Sequence, residues 1–237
     1  MAFYSTFAQY YEVIFPFKQN IFEFLKSYTT TETRKILDLG CGTGHYAAQF
    51  AKEGFQTIGI DLDANMIAYA TAHYPKATFF TMNMLDVRSL NQRFDFIFCI
   101  GNTAAHLTHK EFDILLDSVY NSLEPGGVWL FQVRNWDYVA LQKEYTFPVI
   151  AAQNGRIRFL RTYTDISQDE LSFNTRLIVD GQDIFQDRVM MYPISSRRYR
   201  EMHAEGNFLL IDHFSDFGRT PFDAASDSAN IFVFRKK

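Results

Sequence analysis

The chain is 237 residues long, 47% hydrophobic and 21% charged with a net charge of -4, which suits a folded protein with one substantial core and argues against the broad basic footprint that long nucleic acid requires. No apolar run nears the roughly 18 residues of a membrane span, and the N-terminus has neither a basic region nor a small-residue cleavage site, so a cytoplasmic protein without a membrane partner is expected. Cys41, Cys99 and six scattered histidines lack metal-ligand spacing, so buried thiols are expected rather than a disulfide or metal site, and the 25 phenylalanines suit an enclosed pocket.

The first predicted elements are two helices. Tyr10, Tyr11 and Phe15 cluster before Pro16, which ends the first helix, and Ile21, Phe24, Leu25 and Tyr28 recur at helical spacing in the second. They are expected to cover the segment that follows, so residues 1–30 are read as a lid. Tyr10 and Tyr11 suit either packing or a pocket role.

Next comes Lys35-Ile-Leu-Asp-Leu-Gly-Cys-Gly-Thr-Gly44, an apolar strand running into a loop with three glycines and then a helix through Tyr46, Ala47, Phe50 and Ala51. The glycines permit positive φ and close approach of a ligand, and the helix directs unpaired N–H groups at the loop, so a nucleotide-like cofactor is expected. A phosphate-binding P-loop is excluded because no lysine follows Gly44 where it is needed. The dinucleotide spacing G-x-G-x-x-G is excluded by His45. A second strand, Gln56 to Ile60, ends at Asp61, which lies 19 residues beyond Gly42 and is placed to accept from both hydroxyls of a ribose. Asp63 is the expected cap of the next helix.

The third strand, Thr78 to Met82, leads to Asn83 and Met84, an amide acceptor followed by a polarizable side chain. The fourth, Phe94 to Ile100, is apolar apart from Asp95 and opens into Gly101-Asn-Thr-Ala-Ala-His-Leu107. Thr108 and Glu111 then form a capping box for a helix whose Phe112, Leu115, Leu116, Val119 and Leu123 share a face. Pro125-Gly126-Gly127 turns into the fifth strand, Val128 to Val133, followed by Arg134-Asn-Trp-Asp-Tyr138. Alternating strands and helices predict a parallel α/β sheet with its ligand site at the strand carboxyl ends.

The pattern changes after Glu144. Ile157, Phe159, Arg161 and Tyr163 alternate with Arg158, Leu160 and Thr162. Two further alternations run from Leu171 to Val179 and from Ile184 to Tyr192. This predicts an antiparallel meander over 145–194 inserted into a core of 31–144 and 195–237, which a helix near Arg197 to Glu205 and two final strands complete. Arg197, Arg198 and Arg200 leave a local basic patch open.

Motif I at 36–44, Asp61, the segment at 83–86, the fourth strand and Leu123-Glu-Pro-Gly-Gly127 together resemble a class I S-adenosylmethionine-dependent methyltransferase. The resemblance implies a Rossmann-like, mostly parallel sheet with an antiparallel last strand and helices on both faces. It implies S-adenosyl-L-methionine as cofactor, with S-adenosyl-L-homocysteine as product. Asp38, Gly40, Cys41, Gly42, Gly44, Asp61, Leu62, Asn83, Met84 and Ile100 are its expected contacts, with Asn83 accepting from the adenine amine. Many relatives have Asp where this chain has Asn83. A narrower resemblance, carried by residues 101–107 and 134–138, is to the glycine N-methyltransferase and nucleotide-sugar N-methyltransferase group. It implies a small-molecule acceptor, an amine, touched by Asn102, Arg134 and Tyr138, with Tyr11, His106 and Arg134 as catalytic residues and a monomer or homodimer as the assembly. A non-catalytic cofactor-binding regulator and O- or C-methylation of a metabolite remain open. RNA or DNA methylation is disfavoured by the charge and by the absence of an Asn/Asp-Pro-Pro-aromatic signature at residues 99–102.

Overall fold

The computed structural model describes residues 3–237; the first two residues of the expected lid lie outside them. Helices α1 (Phe3–Ile14) and α2 (Gln19–Lys26) precede β1 (Lys35–Leu39), α3 (His45–Lys52), β2 (Gln56–Asp61), α4 (Ala64–His73), β3 (Thr78–Thr81) and β4 (Phe94–Cys99). Then come α5 (His109–Ser122), β5 (Leu123–Arg134), the single turn α6 (Trp136–Val139) and the short strands β6 (Tyr145–Thr146) and β7 (Ile150–Ala152). The chain continues through β8 (Ile157–Thr164), β9 (Leu171–Val179), β10 (Gln182–Met191), α7 (Ser196–Glu205), β11 (Phe208–Phe214) and β12 (Ala229–Lys236).

Seven strands form the main sheet in the order β11-β12-β5-β4-β1-β2-β3. β12 pairs antiparallel with both β5 and β11, while the pairings among β1 to β5 are parallel. The predicted antiparallel last strand is therefore present, slotted between β11 and β5. Each face of the sheet has its own apolar layer. Leu37, Leu39, Ile97, Cys99 and Phe131 meet Phe112, Leu115 and Val119 of α5 and Tyr199 of α7 on one side. Ile36, Phe96, Phe98 and Leu130 meet Phe22 and Leu25 of α2 and Phe50 of α3 on the other. Alternation along β1 thus places Asp38 on the α3 side.

β1 leads through β2 to β3 on one flank, and the chain returns to β4 and β5 on the other. The order reverses between β1 and β4, and the loops leaving their carboxyl ends bound the crevice where ligands settle in such sheets. Asp95 is the polar residue in an otherwise apolar strand, and the fold gives it a structural role. Its Oδ2 accepts from the Arg34 and Lys35 N–H groups, both at 2.8 Å, tying the start of β1 to β4.

The second sheet has the order β10-β9-β8-β6, with β7 also on β8, and is antiparallel throughout. Helix α1 joins the two sheets. Its Phe7 and Ile14 pack with Met66 of α4 and with Ile157, Phe159 and Leu177 of the second sheet. Glu12 accepts from Tyr74 Oη at 2.7 Å and Tyr69 Oη at 3.4 Å. Tyr10 is a partly buried member of this packing.

Some boundaries differ from expectation. β5 begins at Leu123, which pairs with Phe94, so Pro125-Gly126-Gly127 is an irregularity inside the strand rather than a turn before it. A Cβ on Gly127 would lie 2.9 Å from the Glu124 carbonyl oxygen, which explains the glycine there. The Thr108–Glu111 capping box forms as read. Arg197 and Arg198 pair with Glu201, and Arg198 also with Glu205, on the exposed face of α7, so the charge of these two arginines is compensated. No helix among the described residues is long and apolar enough to cross a membrane.

Asp95→Ala should lower folding stability by about 1–3 kcal/mol, the cost of leaving two backbone donors without their acceptor. A fall in the urea midpoint with an unchanged slope would register this.

Candidate active site

The glycine loop is folded against the end of β2. The Gly40 and Cys41 N–H groups donate to the Ile60 carbonyl at 2.8 and 2.9 Å, and the Gly42 N–H donates to Asp61 Oδ2 at 2.8 Å. Gly40 has φ +70°, and a Cβ there would lie 2.4 Å from Thr103 Cγ2, in the loop after β4. A Cβ on Gly42 would meet the Tyr11 ring and hydroxyl at 3.2 Å. The loop backbone is thus bounded by Thr103 on one side and Tyr11 on the other.

Two carboxylates lie beneath it. Asp38 is 3% exposed, and burial, together with the neighbouring charge of Asp61, pushes its pKa well above the ordinary 3.8, against a hydrogen bond from the Ala47 N–H. Asp61 is also raised by burial, opposed by the N–H groups of Asp63 and Gly42; Asp63 donates to Oδ1 at 3.0 Å. Neither acid has a cationic side-chain partner among the described residues. Buried negative charge without compensation suits a cationic ligand.

Asn83 and Met84 stand at the carboxyl end of β3. Asn83 Oδ1 accepts from the Leu85 N–H at 3.0 Å, capping the 3₁₀ turn Met84–Leu90, which occupies one of its two lone pairs. Leu62 is 54% exposed just beyond Asp61. The Ile100 carbonyl accepts from the Thr103 hydroxyl at 2.9 Å. Cys41 Sγ would be 2.9 Å from a Cβ on Gly59, so its thiol is turned onto β2, and burial keeps it protonated.

On the other side of the crevice, Asn102 adopts φ +67°. Its Oδ1 accepts from the Arg134 N–H at 2.8 Å, and its Nδ2 donates to Tyr163 Oη at 3.2 Å. Arg134 Nη2 donates to Tyr145 Oη at 2.9 Å, and the guanidinium lies 5.1 Å from the Phe147 ring centroid. Asp137 and Glu144, the acids nearest in sequence, are engaged elsewhere: Asp137 accepts from the Ser196 N–H and Glu144 from Thr146. His106 ends the 3₁₀ turn Thr103–His106, and burial lowers its pKa below 6.5, so the imidazole is neutral at pH 7. Tyr138 lies on α6, and the ring contacts around Arg134 involve Tyr145 and Phe147 instead.

Sequence reasoning missed Thr103, Tyr145, Phe147, Arg161 and Tyr163 as parts of this wall. Arg161 left a signal: it stands in the row Ile157, Phe159, Arg161, Tyr163, whose other members are buried. Among the described residues, no cluster of three metal-ligating side chains occurs.

Comparison with known proteins gives this geometry its family. The methyltransferase domain family matches residues 36–127, from β1 into β5. YqeM of Bacillus subtilis (strain 168), a protein of methyltransferase type, is 30% identical over 216 residues, covering 87% of this chain and 85% of its own length. The chain belongs to the class I S-adenosylmethionine-dependent methyltransferases. The glycine/sarcosine N-methyltransferase of Halorhodospira halochloris is 29% identical over 199 residues, covering 81% of this chain and 72% of its own. The crystal structure of an S-adenosylmethionine-dependent methyltransferase from Clostridium acetobutylicum superposes with a TM-score of 0.79 at 14% identity, covering 96% of each chain, and shares the fold.

This methyltransferase uses S-adenosylmethionine, and the residues at the crevice fit it. The glycines let Thr103 and Tyr11 close on the loop backbone, and the uncompensated acid Asp38 suits the positive charge of a sulfonium and an ammonium.

Asp38→Asn should reveal the cost of the buried charge. The folded carboxyl holds its proton more tightly than the unfolded one, so wild-type stability is greatest below pH 3.8 and falls as pH rises through the folded pKa. The asparagine variant lacks that loss, so its stability relative to wild type should rise as the pH is raised above 3.8. Urea denaturation of the ligand-free protein at several pH values measures it.

Proposed function

We propose that this methyltransferase acts on the nitrogen of a small amine that carries an acidic group. The observation that carries this reading is Arg134, a guanidinium at the carboxyl end of β5 without a carboxylate partner among the described residues. A planar fork of donors suits a carboxylate or phosphate of the acceptor. The name of the Halorhodospira relative, a glycine/sarcosine N-methyltransferase, supports the same choice.

In this assignment Asp61 accepts from the ribose hydroxyls of the bound donor, Asn83 and Met84 flank the adenine, and the loop from Gly40 to Gly44 meets the amino-acid portion. Cys41, Leu62 and Ile100 contribute through backbone and packing, and Asp38 adds its charge beneath the loop. S-adenosylmethionine supplies an electrophilic methyl group on a sulfonium. The protein has to hold the acceptor nitrogen in line with it, as a neutral amine with its lone pair forward. Orientation of that kind supplies roughly 7–11 kcal/mol of the barrier, more than a general base contributes.

Tyr11, whose ring lies beside Gly42, and neutral His106 flank the nitrogen and receive hydrogen bonds from it. Tyr138 borders the acceptor side. Both ends of the Asn102 amide already bond within the protein, so we assign Asn102 to organising the wall beside the acceptor. Helices α1 and α2 and residues 145–194 close over the core formed by 31–144 and 195–237, and exclude water from the acceptor.

Two measurements test this reading. Calorimetry with S-adenosylhomocysteine should show Asp61→Ala losing at least tenfold in affinity, and unchanged affinity would sink the ribose assignment. Labelled methyl transfer across amines, alcohols and phenols should favour acidic amines. Arg134→Ala should raise KM for them about 10- to 100-fold with little change in homocysteine-product affinity. Methylation of oxygen or carbon in preference to nitrogen would overturn the amine reading.

A further inference from the structure

Arg161 is set into the inward row of β8, between the buried Phe159 and Tyr163. Its guanidinium lies 4.8 Å from the Phe147 ring centroid, 5.7 Å from that of Phe159 and 5.9 Å from that of Phe15. Nη2 donates to the Pro148 carbonyl at 3.1 Å. Among the described residues, Nε is buried without a hydrogen-bond partner, and so is Nε of Arg134. Phe147 is shared: Arg134 sits 5.1 Å from the same ring.

Elsewhere in the insertion, three arginines are compensated. Arg156 pairs with Asp180, Arg176 with Asp183 and Arg188 with Asp165, all exposed. Arg161 and Arg134 have no such acid among the described residues, and both guanidiniums lie against the Phe147 ring. Burial lowers the pKa of Arg161, and the like charge of Arg134 adds to this, while Tyr163 and Tyr145 oppose it. Ring contacts offset part of the cost of burial, but two cations of like sign, each with a donor unused, are compensated only by negative charge brought from outside.

We infer that the acceptor brings two negative charges, and that Arg161 is the specificity-determining contact for the second. The inference rests on the acidic-amine reading above and extends it. One carboxylate satisfies one guanidinium and leaves the other buried and uncompensated. A dicarboxylate or a phosphate monoester meets both, since each presents a dianion at neutral pH. Arg161 comes from the insertion and Arg134 from the sheet, so the pair measures an acceptor lying between the two units.

The test is calorimetry on protein saturated with S-adenosylhomocysteine, using ethanolamine, glycine, aspartate and phosphoethanolamine as probes. Wild-type protein should bind aspartate or phosphoethanolamine at least tenfold more tightly than glycine, and ethanolamine most weakly. The preferred dianion distinguishes dicarboxylate from phosphate recognition. Arg161→Gln should reduce dianion affinity roughly 10- to 100-fold while leaving glycine within about threefold, and Arg161→Lys should recover part of the loss through charge without the fork. Circular dichroism and S-adenosylhomocysteine affinity, both expected to be unchanged, guard against misfolding. A loss of S-adenosylhomocysteine affinity in Arg161→Gln would move Arg161 to the donor's carboxylate and overturn the proposal. So would glycine binding as well as both dianions, no binding of either dianion, or equal loss across all four probes. Dianion binding without methylation of nitrogen would instead sink the amine reading and leave the charge assignment standing.

Discussion

The junction between the two sheets of this methyltransferase depends on the side chain of Asn102. From the loop after β4, its Oδ1 takes the Arg134 N–H at the end of β5, and its Nδ2 reaches the Tyr163 hydroxyl on β8 and, at 3.6 Å, Met191 Sδ on β10. One amide therefore joins the parallel sheet to the inserted antiparallel sheet. The residue type is dictated twice over. Its φ of +67° lies where asparagine is tolerated better than most residues, and the joint needs one acceptor and one donor on a single short side chain. Aspartate would offer no donor to Tyr163. Leucine would leave the Arg134 N–H without its acceptor.

Around that joint the charges are segregated by sign. Asp38 and Asp61 lie beneath the glycine loop, where burial raises both. Arg134 and Arg161 stand on the opposite wall. Among the described residues neither set is paired internally, although an acid and a guanidinium within one protein readily form a bridge. Keeping them apart sacrifices folding stability, because each buried charge lacks its counterion. The arrangement makes sense when a cationic group occupies one side and an anionic group the other, and local rules are most often broken at functional sites.

The glycine loop and its structural setting were largely legible in the sequence because their signals are local. Three glycines at fixed spacing, a strand before them and an acid at the end of the next strand lie within 36–61, and the chain has no freedom to place them otherwise once β1 and β2 pair in register. The parallel α/β core and the three long strands of the insertion followed from periodicity for the same reason, and the antiparallel last strand followed from the family resemblance. The acceptor side was only partly legible because its contacts span the chain. The sequence suggested that Asn102 was available to a ligand. Its bond to Tyr163, 61 residues away, depends on how the two sheets meet, which no local pattern encodes. Asn83 likewise looked unencumbered until the 3₁₀ turn at Met84 took one of its lone pairs.

The division between these two kinds of information follows the division of labour in the fold. The donor is the same for every member of the family, and its contacts come from loops that short βα connections fix rigidly at the sheet's switch point. The wall opposite is assembled from β8, the 145–147 segment and the end of β5. Of these, only β5 belongs to the parallel core. An inserted sheet can change its inward row without disturbing a core strand, because its side chains alternate and its outer face is solvated. Arg161 occupies such a row position. On the reading proposed above, replacing it would alter the charge presented to the acceptor while leaving the β1–β2 register and the glycine loop as they are, so the insertion is where this scaffold would be free to choose its substrate.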